Sequence, residues 1–273
     1  MIPYPILIFT FVVFTTFGCS DNALNEVRED FEKFYNEYQV TGTFVLYDLK
    51  ENRYTLYNQK LYSKPVVPAS TFKICNSLIA LETKVVKDEH FELPWDGIER
   101  FVPSWDKDHN LQSAFKNSVV WYYQEVARRI GEESMKKWLV KTGYGNADIS
   151  GGIDLFWLSG GLRISPEQQI DFLKRLYQFD LPFSPRSIEI VKKIMVEKTT
   201  PRYTLRGKTG WSTQGDEDIG WYIGFVENRN NVYFFVNCIQ SRNPDDSSFA
   251  RARKDIVFRI FHELEVLDLE PDM

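Results

Sequence analysis

The sequence predicts an α+β fold in which an antiparallel sheet, formed by the N- and C-terminal segments, packs with a helical region. Three observations carry that prediction. Aromatic and β-branched runs of strand length lie near both ends, and the stretch between them repeats apolar residues at helical spacing. The composition of the 273 residues, 43% hydrophobic and 26% charged, is that of an ordinary globular chain. No internal repeat or low-complexity linker divides the sequence, so one domain over residues 19–273 is expected after a distinct N-terminal segment, residues 1–18.

That segment carries no charged side chain, and Ile6 to Phe17 is an almost unbroken apolar run. It falls short of the ~20 residues that a membrane span needs and reads as a secretory signal, so the mature chain is expected in the periplasm. Thr16-Phe17-Gly18-Cys19 resembles a bacterial lipoprotein cleavage box. A lipid anchor at Cys19, holding the protein on the outer membrane, is one expectation; an ordinary signal peptide with an incidental cysteine is the other.

Asp21 to Tyr38 is charged, with Val27, Phe31, Phe34 and Tyr35 at helical spacing, and predicts a helix. Thr41 to Tyr57 reads as two strands around the polar turn Lys50-Glu51-Asn52. Thr71 to Glu82 is a helix entered after Pro68, and Val119 to Ile130 and Glu132 to Lys141 are two more, separated by Gly131. Ser165 opens another as N-cap, with Pro166 at the first helical position. Asp218 to Val226 and Asn231 to Ile239 read as strands joined by Glu227-Asn228-Arg229-Asn230, and Ala250 to Leu264 closes the chain as an amphipathic helix.

Charge and rare residues exclude several classes. A net charge of −5 without a basic block argues against nucleic acid as partner. Cys75 and Cys238 are too few for a disulfide scaffold and lie in apolar patterns, which predicts buried free thiols. His90, His109 and His262 are isolated, so no metal site is expected.

The chemistry points to Pro68-Ala69-Ser70-Thr71-Phe72-Lys73, a Ser-x-x-Lys spacing that puts both side chains on one helical face. A serine hydroxyl is a poor nucleophile until a neighbouring base takes its proton. A helix N-terminus disfavours the ammonium form of Lys73 and offers N–H groups to an oxyanion. The same spacing recurs at Ser104/Lys107, Ser113/Lys116 and Ser134/Lys137, but in polar surroundings expected to be solvated. Lys-Thr-Gly occurs twice. Lys141-Thr142-Gly143 ends a helix and reads as a C-cap, whereas Lys208-Thr209-Gly210 follows a strand-like stretch and suits an anionic substrate carboxylate. Ser118-Val119-Val120 could be an N-cap and Tyr144-Gly145-Asn146 a turn, each uninformative alone.

Taken together, Ser70-x-x-Lys73, Ser118-x-Val120, Tyr144-Gly145-Asn146, Trp157 and Lys208-Thr209-Gly210 resemble the class D (OXA-type) serine β-lactamases. The likeness runs from about residue 24 to 265 and includes Gly151-Gly152-Ile153-Asp154 and Leu162-Arg163-Ile164-Ser165. It implies the serine β-lactamase and penicillin-binding-protein fold and hydrolysis of penicillin-type antibiotics through a serine acyl-enzyme, hence antibiotic resistance. The implied nucleophile is Ser70. Lys73 is implied to react with carbon dioxide, as N6-carboxylysine, and to act as general base. Trp157 would hydrogen-bond that carbamate, and Phe72, Val120 and Leu158 would keep it dry. Ser118 would relay protons to the leaving nitrogen. Lys208, Thr209 and Arg253 would hold the substrate carboxylate along the Lys208-Thr209-Gly210 strand, and the backbone N–H groups of Ser70 and Trp211 would form the oxyanion hole. No cofactor beyond carbon dioxide is implied, the partners are β-lactam small molecules, and some family members are homodimers.

The physics of the implied base is coherent. A lysine of pKa near 10.4 is neutral only about once in a thousand at pH 7.4. Apolar burial by Phe72, Ile74, Val119 and Val120 would lower that pKa by several units. Arg253 is chosen over its neighbour Arg251 because Arg-Lys-x-Ile fits the family pattern there. Two rival readings are a β-lactam sensor that stays acylated and a cell-wall transpeptidase. Sensors normally carry several membrane spans, and Val120 with Trp157 fits hydrolysis better than transpeptidation.

Overall fold

The computed structural model describes residues 24–242 and 244–267. The signal segment, the expected lipidation at Cys19 and residues 21–23 of the first predicted helix lie outside them. The strands are β1 (Leu24–Val27), β2 (Thr41–Asp48), β3 (Arg53–Tyr57), β4 (Glu92–Leu93), β5 (His109–Asn110), β6 (Val196–Thr199), β7 (Tyr203–Gln214), β8 (Glu217–Asn228) and β9 (Val232–Ser241). The helices are α1 (Glu32–Asn36), α2 (Gln59–Tyr62), α3 (Lys73–Glu82), α4 (Leu111–Lys116), α5 (Val120–Ile130), α6 (Glu132–Thr142), α7 (Pro166–Tyr177), α8 (Pro185–Ile194) and α9 (Asp246–Glu263).

Seven strands form one sheet in the order β1-β3-β2-β9-β8-β7-β6. All neighbours are antiparallel except β1 beside β3. The chain ends meet at its centre, where Val45 of β2 pairs with Val236 of β9, so the expected α+β architecture holds. Each face has its own core. On one face α9 lays Phe249, Ala252, Ile256, Val257, Ile260 and Phe261 against Phe44, Tyr222 and Phe235. The spacing of those six residues is that of one helical stripe. The other face carries the helical block, whose centre is α3, with Ile74 to Ala80 entirely buried. A helix apolar on every side belongs inside, and α3 holds Lys73 at its first position.

The structure departs from expectation in several places. Asp21 to Tyr38 is not one helix. Leu24–Val27 is an edge strand parallel to Arg53–Leu56, and a 3-10 turn at Glu29–Phe31 leads into the short α1. The helical periodicity was genuine only from Phe31 onward, since Val27 is 45% exposed and has no core to face. The helix expected at Thr71 begins as a 3-10 turn, Ala69–Phe72, before α3. Helices α2, α4 and α8 are absent from the sequence reading, although α8 is amphipathic, with Ile188, Val191 and Ile194 buried. The last helix starts at Asp246 because the Asp245 side chain accepts from the Ser247 N–H. Ser165 is the N-cap expected, in a reciprocal capping box with Gln168. Cys75 and Cys238 are buried free thiols, also as expected.

Candidate active site

The turn that carries Ser70 is set by local geometry. Ala69–Phe72 is a 3-10 turn, and three residues per turn bring positions 70 and 73 onto one side. Ala69 has φ of +49°, a left-handed conformation that an L-residue adopts only under constraint. Thr71 supplies some of it, donating its hydroxyl to the Pro68 carbonyl at 2.7 Å and accepting from Gln169 Nε2 at 2.9 Å. Lys73 Nζ then stands 2.7 Å from Ser70 Oγ. The lysine is completely buried, whereas Ser70 keeps 9% of its surface. Burial, reinforced by the positive charge of Lys208, holds the Lys73 pKa well below the ordinary lysine value.

The surroundings of Lys73 are apolar and aromatic. Phe72, Ile74 and Val119 are fully buried, while Val120 and Leu158 are half-buried. Phe72 packs against Trp157 with ring centroids 5.4 Å apart, and against Phe156 and Tyr144. Trp157 is fully buried, and its Nε1 has no hydrogen-bond partner among the described residues. Leaving a buried donor unsatisfied costs about 1–3 kcal/mol, so this N–H marks a place built for an acceptor. Sequence reading missed Tyr123. Its ring centroid lies 5.3 Å from Lys73 Nζ, and its hydroxyl pairs with Ser77 Oγ, which donates to the Lys73 carbonyl. It lies one helical turn beyond Val120, on the same face of α5, so helical spacing from Val120 could have found it.

Ser118 is not the N-cap of α5; that position is Val119, which makes no side-chain cap bond. Ser118 instead adopts φ of +55° and is pinned from both sides. Its N–H donates to the Phe115 carbonyl, the next N–H to the Ala114 carbonyl, and Trp105 Nε1 to the Asn117 carbonyl. Its hydroxyl makes no hydrogen bond to Lys73 or Lys208 among the described residues. Tyr144-Gly145-Asn146 is a loop anchor. Asn146 donates to the Gly161 carbonyl and accepts from the Asp148 and Arg163 N–H groups, closing the segment that carries Trp157 and Leu158. Gly145 has φ of +55°, and a Cβ there would fall 2.1 Å from the Arg163 carbonyl oxygen.

Lys208-Thr209-Gly210 lies in the middle of β7 rather than at its end. Gly210 lets this strand approach the turn that carries Ser70: a Cβ would stand 3.0 Å from the Pro68 carbonyl oxygen and 3.2 Å from Thr71 Cγ2. Trp211, one residue on, packs its indole against Phe249, and Ser212 Oγ donates to the Leu158 carbonyl at 2.5 Å. Lys208 is 4% exposed, and burial lowers its pKa to about 7. Arg253 reaches across from α9 to donate to the Gly210 carbonyl at 3.1 Å, its guanidinium 5.4 Å from the Trp211 ring centroid. Arg251 is exposed, so the structure puts the intended arginine at the strand. Of the decoys, Ser113 serves a capping box with Asn110, and Lys141-Thr142-Gly143 ends α6 with Gly143 left-handed, as its C-cap reading required. The described residues hold no cluster of His, Cys, Asp or Glu of metal-binding size.

Known proteins are similar to this chain. Residues 36–262 match the penicillin binding protein transpeptidase domain. Beta-lactamase OXA-48 of Klebsiella pneumoniae is 48% identical over 202 residues, covering 74% of this chain and 76% of that protein. The regulatory protein BlaR1 of Bacillus licheniformis is 38% identical over 228 residues, 83% of this chain but 38% of the longer protein. Among solved structures, the class D beta-lactamase of Sebaldella termitidis is 40% identical with a TM-score of 0.86, covering 90% of this chain and 100% of that one.

Proposed function

This chain belongs to the penicillin-binding-protein transpeptidase family, as a class D serine β-lactamase, and on that premise we propose how its residues open and release a penicillin-type ring. The observation that carries the reading is a buried lysine amine 2.7 Å from the hydroxyl oxygen of a serine that keeps 9% of its surface. Ser70 Oγ gives its proton to the Lys73 side chain and bonds to the lactam carbonyl carbon, and the carbon–nitrogen bond of the ring breaks. Ser118 carries a proton to the departing nitrogen. Lys208, Thr209 and Arg253 hold the substrate carboxylate beside β7, and the N–H groups of Ser70 and Trp211 face the developing oxyanion. A water then cleaves the ester, Lys73 taking its proton.

A neutral lysine amine and carbon dioxide combine to a carbamate and a proton, and the residues around Lys73 fit that group. Burial favours the neutral amine, Phe72, Val120 and Leu158 limit water, and the partnerless Trp157 N–H is available to an anion. When formed, the carbamate supplies a general base stronger than a carboxylate and nearer in pKa to the working pH.

Turnover of a chromogenic cephalosporin such as nitrocefin tests the whole reading. Many cycles per enzyme, abolished by Ser70→Ala and by Lys73→Ala, are expected. One stoichiometric burst would instead mark a sensor or a transpeptidase. Export is the proposed setting, resting on the apolar run of residues 6–17. Intact-mass analysis of the mature chain would refute lipidation if Cys19 proved unmodified or absent.

A further inference from the structure

We propose that Glu197 is a positioning residue for substrate capture: the counter-charge, clamped between Tyr222 and Lys254, that keeps the Lys208 amine cationic as a substrate carboxylate approaches. This rests on the reading that Lys208 takes that carboxylate.

A cavity of about 460 Å³ runs along the edge of β7 past Lys208 and Thr209, bounded by α4, α8 and β6. Lys208 needs help there. Its amine is almost fully buried and donates to the Thr209 carbonyl at 2.9 Å. The charged groups that face it are mostly cations, Arg253 and Lys254 from α9 and across the cavity Lys116 from α4 and Lys193 from α8, while Lys73 from α3 faces it as an amine that burial holds toward the neutral form. Its remaining neighbour from α4 is the Phe115 ring, 5.8 Å away. Burial therefore drives Lys208 toward the neutral amine, which offers a carboxylate no charge. Among the described residues lining the cavity, Glu197 is the acid, and it acts in the opposite direction.

The position of Glu197 is built. Its Oε2 accepts from the Tyr222 hydroxyl at 3.0 Å and from Lys254 Nζ at 2.5 Å. Its Oε1 approaches Gly207, the residue before Lys208, where a Cβ would stand 3.2 Å from that oxygen and 2.8 Å from the Tyr222 ring. Lys193, the other cation near that rim, is occupied by Glu89 at 2.6 Å. Glu197 makes no hydrogen bond to Ser70 or Lys73 among the described residues, so its direct contacts lie on the capture side of the site.

The test is Glu197→Gln in the whole enzyme, with Glu197→Asp beside it. The pH profile of kcat/KM is measured for a penicillin with a free carboxylate and for its carboxylate ester. The Glu197 side chain is 25% exposed, so its field acts through an effective dielectric nearer 20 than 4. Glu197→Gln is expected to move the alkaline limb for the free acid down by about half to one pH unit, raising KM about 3- to 10-fold above that limb. The expected kcat and the ester profile are unchanged, and Glu197→Asp restores most of the limb. A free-acid profile that superimposes on the parent's, or equal losses for acid and ester, overturns the proposal. Lys208→Met separates the two layers. If it weakens the free acid no more than the ester, the carboxylate reading itself fails; if it weakens the acid selectively while Glu197→Gln does nothing, only the role of Glu197 fails.

Discussion

Replacing Trp157 by Phe isolates a single N–H group. Phenylalanine keeps a ring to pack on Phe72 and Phe156, whose centroids lie 5.4 and 5.0 Å from the indole, and removes only the donor edge and some volume. Among the described residues that donor is buried without a partner. Removing it relieves a penalty of about 1–3 kcal/mol, which offsets much of the lost ring contact. The expected change in Tm is therefore small. With Lys73 carbamylated, the same N–H would donate to an anion, a bond worth about 1.5–3 kcal/mol. At 1.4 kcal/mol per tenfold, the bicarbonate needed for half-maximal activity should rise about 10- to 100-fold, with saturating bicarbonate rescuing turnover. Activity titrated against bicarbonate measures this, and ¹³C NMR with labelled bicarbonate counts the modified lysine directly. An unchanged half-saturation point alongside a large drop in Tm would refute the reasoning, because Trp157 would then be packing and nothing more.

Two other outcomes follow from the same geometry. Lys73 has a folded pKa well below its unfolded one, so unfolding binds a proton between those values and stability rises with pH across that window. Lys73→Met in carbon-dioxide-free buffer should therefore be inactive yet more stable than the parent at neutral pH, the gain shrinking toward the ordinary lysine pKa; thermal melts against pH check it, and catalysis by the parent should fail on acidification as Lys73 protonates. Arg253→Ala removes a guanidinium placed 3.1 Å from the Gly210 carbonyl and should raise KM for carboxylate-bearing penicillins about 10- to 100-fold, as for a charge-assisted bond of about 1.5–3 kcal/mol, while the exposed Arg251→Ala leaves KM unchanged.

Much of the site was legible because its parts are local. Ser70 and Lys73 lie within one turn, and an apolar run after Lys73 already implied burial of a charge. The helix expected at Asp21 failed for the complementary reason. Val27 matched the helical period, but an edge of the sheet offered Leu24–Val27 backbone partners in β3. Ser118 read as a helix cap because only the chain around it was visible. Its left-handed backbone belongs to the C-terminal close of α4, where its N–H meets the Phe115 carbonyl and the Val119 N–H meets the Ala114 carbonyl, and α4 is a helix the sequence reading did not include.

The order of residues alone determined which atoms could react: a hydroxyl three positions before an amine, a glycine after a lysine and threonine, and one arginine in a helical pattern. Tertiary structure decided their ionisation and their company. The charge of Lys208, 135 positions away in the numbering of this chain, lowers the affinity of Lys73 for a proton only because β7 folds against the turn that bears Ser70, with Gly210 leaving room for the approach. The unpartnered Trp157 N–H and the acid at Glu197 are likewise products of contact between distant segments. Electrostatic energy depends on separation and on surrounding dielectric, and neither is written in a list of neighbours along a chain.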